Sequence, residues 1–400
     1  MHMPTAADSR RSNAPQPSSS SSPLPMANYY SMHLSAAVFP VTAGLLLYGG
    51  MAAAVIGAVV ISSWLSLLVW RRIGGRGRQL NGPRILWMSM LLSLTLPPDL
   101  LEGKAWPIAP AAGILLVILA WVLSPIGSGR VHPVLAAFIV LTMLFHPLLA
   151  PHRILTMDHL LIGNLLNTRT LDSNLPRTQA WVFQRGLSPA DGTDALFEKE
   201  PATDRLGDYT SARLQPDRFS VSAQMVIRDQ LPPLEDFLIG GEPGPIGASS
   251  GVAVIIGGLF LLYRGLIDWR IPLLTVIAAL AAFLILPLPV VISDLGTQWR
   301  WLAFRPHYLG WEAGLTLSNY ELLASPLLFV AFFLATSPQA QPMSRAGRAV
   351  YGMIFGLLCG PMQLYGSVSV GPFVALLLAS LASPCLDRMF TPGRRHACPA

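Results

Sequence analysis

Ten apolar stretches constrain this 400-residue chain more than any other feature. A helix rises about 1.5 Å per residue, so about 20 apolar residues cross the hydrocarbon layer of a bilayer. The stretches form two groups of five on either side of a long polar insert, residues 151–248. They lie near 31–50, 51–70, 85–98, 107–125, 133–150, 249–263, 271–293, 319–336, 348–366 and 369–386. The sequence therefore predicts an all-α membrane protein of about ten transmembrane helices in two five-helix halves.

The composition excludes several other classes of protein. Only 12% of the residues are charged, against about 25% in soluble domains. The net charge of +6 does not indicate nucleic-acid binding, because the apolar runs leave little solvated surface for a basic patch. Cys359, Cys385 and Cys398 have neither the number nor the spacing of a disulfide framework or a zinc site. The expected environment is the lipid bilayer.

The loops predict the orientation, because Lys and Arg accumulate on the cytoplasmic side. With the N-terminus inside, the cytoplasmic segments hold 15 of the 27 basic residues and only three of the 21 acidic ones. We therefore expect a protein of the bacterial inner membrane with both termini in the cytoplasm and the insert in the periplasm. The predicted segments are a Ser/Pro-rich tail at 1–28, membrane halves at 29–150 and 249–388, the insert at 151–248, and a tail at 389–400.

Ionisable residues within the predicted spans are scarce. Glu321 is expected at the periplasmic mouth of the eighth span, and Asp294 at the end of the seventh. A self-contained proton or sodium transporter needs charged groups at mid-depth. The scarcity argues against an independent transporter.

Several ordered motifs resemble one family of membrane subunits. The stretch 241–272 is similar to a segment of RnfD, a membrane subunit of the Rnf complex, and of the related NqrB subunit of the sodium-pumping NADH:quinone reductase. The matching positions are Gly244, Gly247, Ser250, Gly257, Gly258, Trp269, Arg270 and Pro272. SLTLPPDL (93–100), PIGSGRVHPVLAA (125–137), LLFVAFFLATSPQAQP (327–342) and GPFVALLLASLASPCLDR (371–388) follow in the family's order.

This resemblance implies a membrane subunit of an ion-translocating, flavin-dependent electron-transport complex, with other membrane subunits as partners. It is at most one subunit of an oxidoreductase. The family carries FMN bonded through its phosphate to a threonine in a D-x-x-S-G-A-T motif. Two segments of the insert could correspond to that motif. GDYTSARL (207–214) offers Thr210, Ser211 and Arg213, with the arginine in the place of the acceptor threonine, and SPADGTDAL (188–196) offers Thr193.

Other polar positions of the family have also changed. Ala248 replaces a glutamate, Ser337 replaces an aspartate, and Val370 replaces a glutamate, whereas the glycines and prolines remain. Helix packing needs the glycines, and redox or ion coupling needs the polar groups. The alternative function is therefore a divergent structural or assembly subunit that has lost covalent FMN.

The predicted orientation can be tested with reporter fusions. A fusion near Asn81, in the basic loop 71–84, should report the cytoplasm, and one near Asp204 should report the periplasm, because outward transfer of five arginines opposes the charge bias. Equal signals at the two sites would contradict the ten-span arrangement.

Overall fold

The computed structural model describes residues 26–73, 80–98, 100–101, 105–123, 131–149, 154–155, 197–198, 234–240, 244–292, 296–300 and 310–390. These residues are mostly helical, as the sequence predicts for a membrane protein. The tails at 1–25 and 391–400 and nearly all of the insert lie outside this part of the chain.

Five helices precede the insert. Their bounds are α1 Met26–Tyr48, α2 Gly50–Ile73, α3 Gly82–Thr95, α4 Ile108–Leu123 and α5 Pro133–Leu149. Gly49 makes the tight turn between α1 and α2. Its φ of 59° is a backbone conformation that a residue with a side chain rarely adopts. Pro83 stands in the first turn of α3, where its missing N–H costs nothing.

The second set of helices begins inside the insert. The elements are α6 Leu234–Ile239, α7 Gly251–Tyr263, α8 Arg270–Ile285, α9 Gly310–Ala324, α10 Leu327–Phe329, a π-helix at Val330–Leu334, α11 Arg345–Leu364 and α12 Gly371–Phe390. Ser250 caps α7, since its hydroxyl accepts a hydrogen bond from the N–H of Ala253. Ser344 caps α11 in the same way through Gly347.

Two short antiparallel strand pairs depart from the all-α prediction. β1 (Ile154–Leu155) pairs with β2 (Phe197–Glu198), and β3 (Leu288–Ile292) pairs with β4 (Gly296–Arg300). The second pair shortens the seventh predicted span, so that α8 ends at Ile285 instead of continuing to 293. Pro287 and Pro289 explain the change, because proline opposes a helical residue before it and cannot donate a hydrogen bond within a helix.

The eighth predicted span is also not one helix. It is divided at Ser325 and Pro326 into the end of α9, the single turn α10 and the π-helix. The ninth span, by contrast, is a continuous helix despite Gly360 and Pro361.

The outer surfaces of the helices are suited to lipid. On α2 the side chains of Ile61, Leu65 and Val69 are more than half exposed, although they are strongly apolar. Large apolar surfaces of this kind are typical of a membrane-facing protein. Within the described residues, three helices are long and apolar enough to cross a membrane, Tyr29–Tyr48, Gly50–Arg72 and Gly371–Phe390, and four shorter apolar helices accompany them. The chain is an integral membrane protein.

The closest helix pairs in both halves depend on glycine and a hydroxyl. In the first half, Ser63 on α2 donates a hydrogen bond to the carbonyl of Gly113 on α4, 3.2 Å away. In the second, Thr275 on α8 donates to the carbonyl of Gly352 on α11, also at 3.2 Å. A Cβ atom at Gly352 would lie 2.8 Å from the carbonyl oxygen of Ile271. Small residues thus allow the backbones to approach, which is the main source of helix association in lipid.

Candidate functional site

The glycine motif noted in the sequence lies at a contact between the helices that precede the insert and those that follow it. The turn at 244–250 lies against the C-terminal end of α3, which carries the SLTLPPDL segment. The N–H groups of Ile246 and Gly247 donate hydrogen bonds to the carbonyls of Leu96 and Leu94, at 3.0 and 2.8 Å. Two motifs that are about 150 residues apart in the sequence are therefore bonded backbone to backbone.

Side-chain atoms have no space at this contact. A Cβ atom at Gly247 would lie 2.6 Å from the Cβ of Leu94, which is closer than Cβ atoms approach in proteins. On the opposite side, a Cβ atom at Gly44 of α1 would lie 2.5 Å from Cγ2 of Ile246. Glycine at 44 and 247 is thus required by close packing of the backbone. We name the turn 244–250, with the parts of α1 and α3 that contact it, the inter-half seam.

Tyr48 holds the first residue of this turn. Its hydroxyl donates a hydrogen bond to the carbonyl of Gly244 at 3.2 Å and accepts one from the N–H of the same residue at 3.0 Å. Gly244 itself has open space where a Cβ would stand. This residue is therefore fixed by its backbone groups and not by lack of room.

The next two glycines of the motif extend the contact along α7. A Cβ atom at Gly257 would lie 2.9 Å from the carbonyl of Ala36 on α1 and 3.0 Å from the ring of Phe333 in the π-helix. A Cβ atom at Gly258 would overlap the ring of Phe332. Helix α7 is thus packed between α1 and the π-helix, with Gly257 and Gly258 at the points of close approach.

Trp269 and Arg270 lie apart from the seam, at the start of α8. The Trp269 ring is mostly exposed, and the guanidinium of Arg270 lies 5.8 Å from its centroid. The backbone N–H of Arg270 donates to the carboxylate of Asp268, which also forms an ion pair with Arg348 of α11 at 3.4 Å. These contacts fix the turn between α7 and α8.

The four residues predicted to bind FMN cannot be placed. Thr193, Thr210, Ser211 and Arg213 all lie outside the described residues. Among the residues that the structure does describe, no group of three or more His, Cys, Asp or Glu side chains is arranged to hold a metal ion.

A second group of polar side chains lies at the break between α9 and α10. The hydroxyl of Ser325 accepts hydrogen bonds from the N–H of Leu327 and from Nε2 of Gln363, each at 3.3 Å. Glu321 lies one turn earlier on α9 and is 2% exposed. Glu321 is expected at the mouth of a span, and the structure adds that its side chain is buried among protein atoms. We name Glu321, Ser325 and Gln363 the helix-break cluster.

Sequence reasoning missed two parts of these sites. Tyr48 stands at the end of an apolar stretch, where an aromatic residue is usually an interfacial anchor. The neighbouring sequence does not indicate its hydrogen-bond partner, which is 196 residues away. Gln363 stands in an apolar helix, where a single amide gives only a weak signal. The Ser-Pro pair at 325–326 was the available sign of the broken helix, because proline disfavours helix at the residue before it.

Comparison with known proteins identifies the family of this multi-helix membrane protein. The chain matches the NQR2, RnfD, RnfE family over residues 19–395. It belongs to that family, and the resemblance found in the motifs is confirmed.

Several curated relatives are similar to the chain at low identity. It is 23% identical over 366 residues to the D-subunit of the ion-translocating oxidoreductase complex of Halorhodospira halophila, covering 89% of this chain and 88% of the relative. It is 30% identical over 159 residues to the D-subunit of the Na(+)-translocating ferredoxin:NAD(+) oxidoreductase complex of Acetobacterium woodii, covering 39% and 40%. It is 27% identical over 156 residues to the D-subunit of the proton-translocating ferredoxin:NAD(+) oxidoreductase complex of Clostridium ljungdahlii, covering 38% and 40%. The last two alignments thus span about two fifths of those relatives.

The contribution of Tyr48 can be tested by removing its hydroxyl. Tyr48→Phe should lower the free energy of unfolding by about 1–2 kcal/mol, because both backbone groups of Gly244 lose a partner. The midpoint of thermal unfolding in detergent should fall accordingly. The matched variant Tyr263→Phe, at an 88% exposed ring, should leave it unchanged. Equal midpoints for the two variants would show that Tyr48 does not hold the turn.

Proposed function

We propose that this protein is an RnfD-like, integral membrane component of an ion-translocating electron-transport complex. The observation that carries the proposal is the family match from 19 to 395, which includes both motifs of the inter-half seam. Relatives in this family are named as D-subunits of ion-translocating oxidoreductase complexes. The partners in our proposal are the other membrane subunits of such a complex.

The proposed arrangement has ten spans in two five-helix halves, at 29–150 and 249–388. The equivalent use of a hydroxyl and a glycine carbonyl, Ser63 with Gly113 and Thr275 with Gly352, supports two halves of similar construction. The loop charges support an insert at 151–248 in the periplasm, tails at 1–28 and 389–400 in the cytoplasm, and residence in the bacterial inner membrane.

The proposed cofactor of the complex is a flavin. Where FMN is bound to this chain, it would be held through its phosphate by a hydroxyl of Thr193 or Thr210, with Ser211 beside it and Arg213 as a phosphate partner. A guanidinium pairs with phosphate through two hydrogen bonds. The flavin would supply the electron-transfer chemistry, which no side chain can supply alone.

One departure from the family favours the alternative form, a structural or assembly subunit without covalent FMN. Arg213 stands where the family's acceptor threonine belongs, and a guanidinium offers no hydroxyl for esterification. Both forms place the chain in the same complex, and they differ only in whether this subunit carries the flavin.

A single purification provides the sample for two tests, one of the role as a subunit and one of the covalent flavin. The tagged full-length chain, extracted from its own membranes in mild detergent, should be recovered with other integral membrane subunits. Recovery of this chain alone would contradict the proposed role.

Mass spectrometry of the same sample addresses the flavin. Because Arg213 occupies the acceptor position, the insert peptides that contain Thr193 and Thr210 should have unmodified masses. An FMN-sized adduct on either threonine would show instead that this subunit is a covalent flavin carrier.

A further inference from the structure

The interrupted eighth span gives this membrane protein a polar interior site. Helix α9 ends at Ala324, Pro326 follows the break, and the chain continues through α10 into the π-helix. Proline supplies no N–H, so a break of this kind leaves backbone groups that need other partners. Discontinuous helices and π-helical turns in membrane proteins commonly lie at ion and substrate sites.

Ser325 fixes the orientation of Gln363. The Ser325 hydroxyl donates to the carbonyl of Leu322 at 3.4 Å and accepts from Leu327 N–H and Gln363 Nε2. Its donor and both of its acceptor positions are thus in use. Since the amide nitrogen of Gln363 points to Ser325, the amide oxygen Oε1 points elsewhere. This oxygen is buried and has no donor among the described residues.

Glu321 has a second buried oxygen that lacks a hydrogen-bond donor among the described residues. It lies on the last turn of α9 and precedes Ser325, the first residue after that helix, by four residues. Its Oε2 atom is buried, and no described group donates a hydrogen bond to it. Ionised carboxylates are rarely found in such surroundings without a cation or several donors.

Charged groups on the neighbouring elements do not provide that compensation within the described part of the chain. On α8 the one charged residue is Arg270, at the end of the helix that lies near Gly352. Leu286, just after the opposite end of α8, lies near Gly360, which precedes Gln363 by about one turn. Arg270 is therefore at the end of α8 far from Gln363. On α12 the charged residues are Asp387 and Arg388, at the end far from Gly371, which contacts Gln363.

The remaining titratable groups on the neighbouring elements carry no charge at neutral pH or have side chains that the structure does not describe. On α11, Cys359 and Tyr365 are within about a turn of Gln363, and α10 has no titratable residue. On α6, Glu235 and Asp236 have side chains that are not described. Among the described residues, Glu321 Oε2 and Gln363 Oε1 are thus both buried acceptor oxygens without a hydrogen-bond donor.

We propose that Glu321 is a reversible proton-binding residue of this subunit, neutral in the arrangement seen here, with Gln363 Oε1 as the acceptor for its protonated carboxyl. A proton from water forms the Oε2–H bond and leaves by the same atom, with no change in oxidation state. This inference rests on the proposed function, because ion translocation is what gives a proton site inside the membrane a use.

A proton suits this site better than a metal cation. Hard metal cations take about six or more oxygen ligands in proteins. The helix-break cluster offers two acceptor oxygens without partners among the described residues, and Ser325 Oγ is already saturated. A single proton removes the charge of Glu321 and turns Oε2 from an acceptor into a hydrogen-bond donor.

Carbodiimide labelling of the wild-type protein in its own membranes tests the proposal. Hydrophobic carbodiimides react with protonated carboxyls inside membranes, and peptide mass spectrometry locates the adduct. We expect an adduct on Glu321 whose rate of formation, measured between about pH 6 and about pH 9, falls about tenfold per pH unit above its midpoint. Added NaCl at constant pH should leave this rate unchanged.

Two controls accompany the labelling. The Glu321→Gln variant should lose the adduct from this peptide, and Asp268, which is paired with Arg348, should remain unlabelled in the wild type. Absence of an adduct on Glu321 across the pH range would overturn the proposal. Protection of Glu321 by sodium ions would also overturn it, since it would assign a sodium site in place of a proton site.

The labelling and the purification fail independently. A chain that is labelled at Glu321 but recovered without partners would contradict the proposed function and leave the proton site standing. A chain recovered in a complex but unlabelled would keep its role as a subunit and lose the proton site.

Discussion

The backbone contact between Gly247 and Leu94 joins the helices that precede the insert to those that follow it. The hydrogen bond from Gly247 N–H to Leu94 O, at 2.8 Å, leaves no space for any side chain at position 247. Around this contact, Ile246 lies against Gly44, Tyr48 binds Gly244, and α7 lies between α1 and the π-helix. The inter-half seam is thus a region of close backbone packing.

Lipid gives such contacts their importance. Apolar side chains gain little by leaving lipid for a protein interior, so close packing and hydrogen bonds must associate the helices. The chain uses both at once where Ser63 meets Gly113 and where Thr275 meets Gly352. This physical requirement explains why glycines stand at the close backbone contacts of this chain.

The sequence predicted the helices well because apolar length is the property that a bilayer selects. The bounds of α2 and α12 follow closely from hydropathy and basic flanks. The seventh span was predicted too long and the eighth as one helix, since hydropathy does not register Pro287 or the Ser325–Pro326 break. Glu321 was noted, with Asp294, as a carboxylate at the end of a span, but its burial and the bond between Gln363 and Ser325 depend on tertiary packing that no local pattern contains. The flavin residues in the insert remain predictions.

The close packing at Gly247 is tested most directly by comparing substitutions at two glycines of the same turn. Gly247→Val should lower the midpoint of thermal unfolding of the intact protein, with a loss of about 1–3 kcal/mol from overpacking against Leu94. Gly244→Val, three residues earlier and with open space at its Cβ, should leave the midpoint nearly unchanged. Equal midpoints for the two variants would show that the close approach of Gly247 to Leu94 does not stabilise the protein.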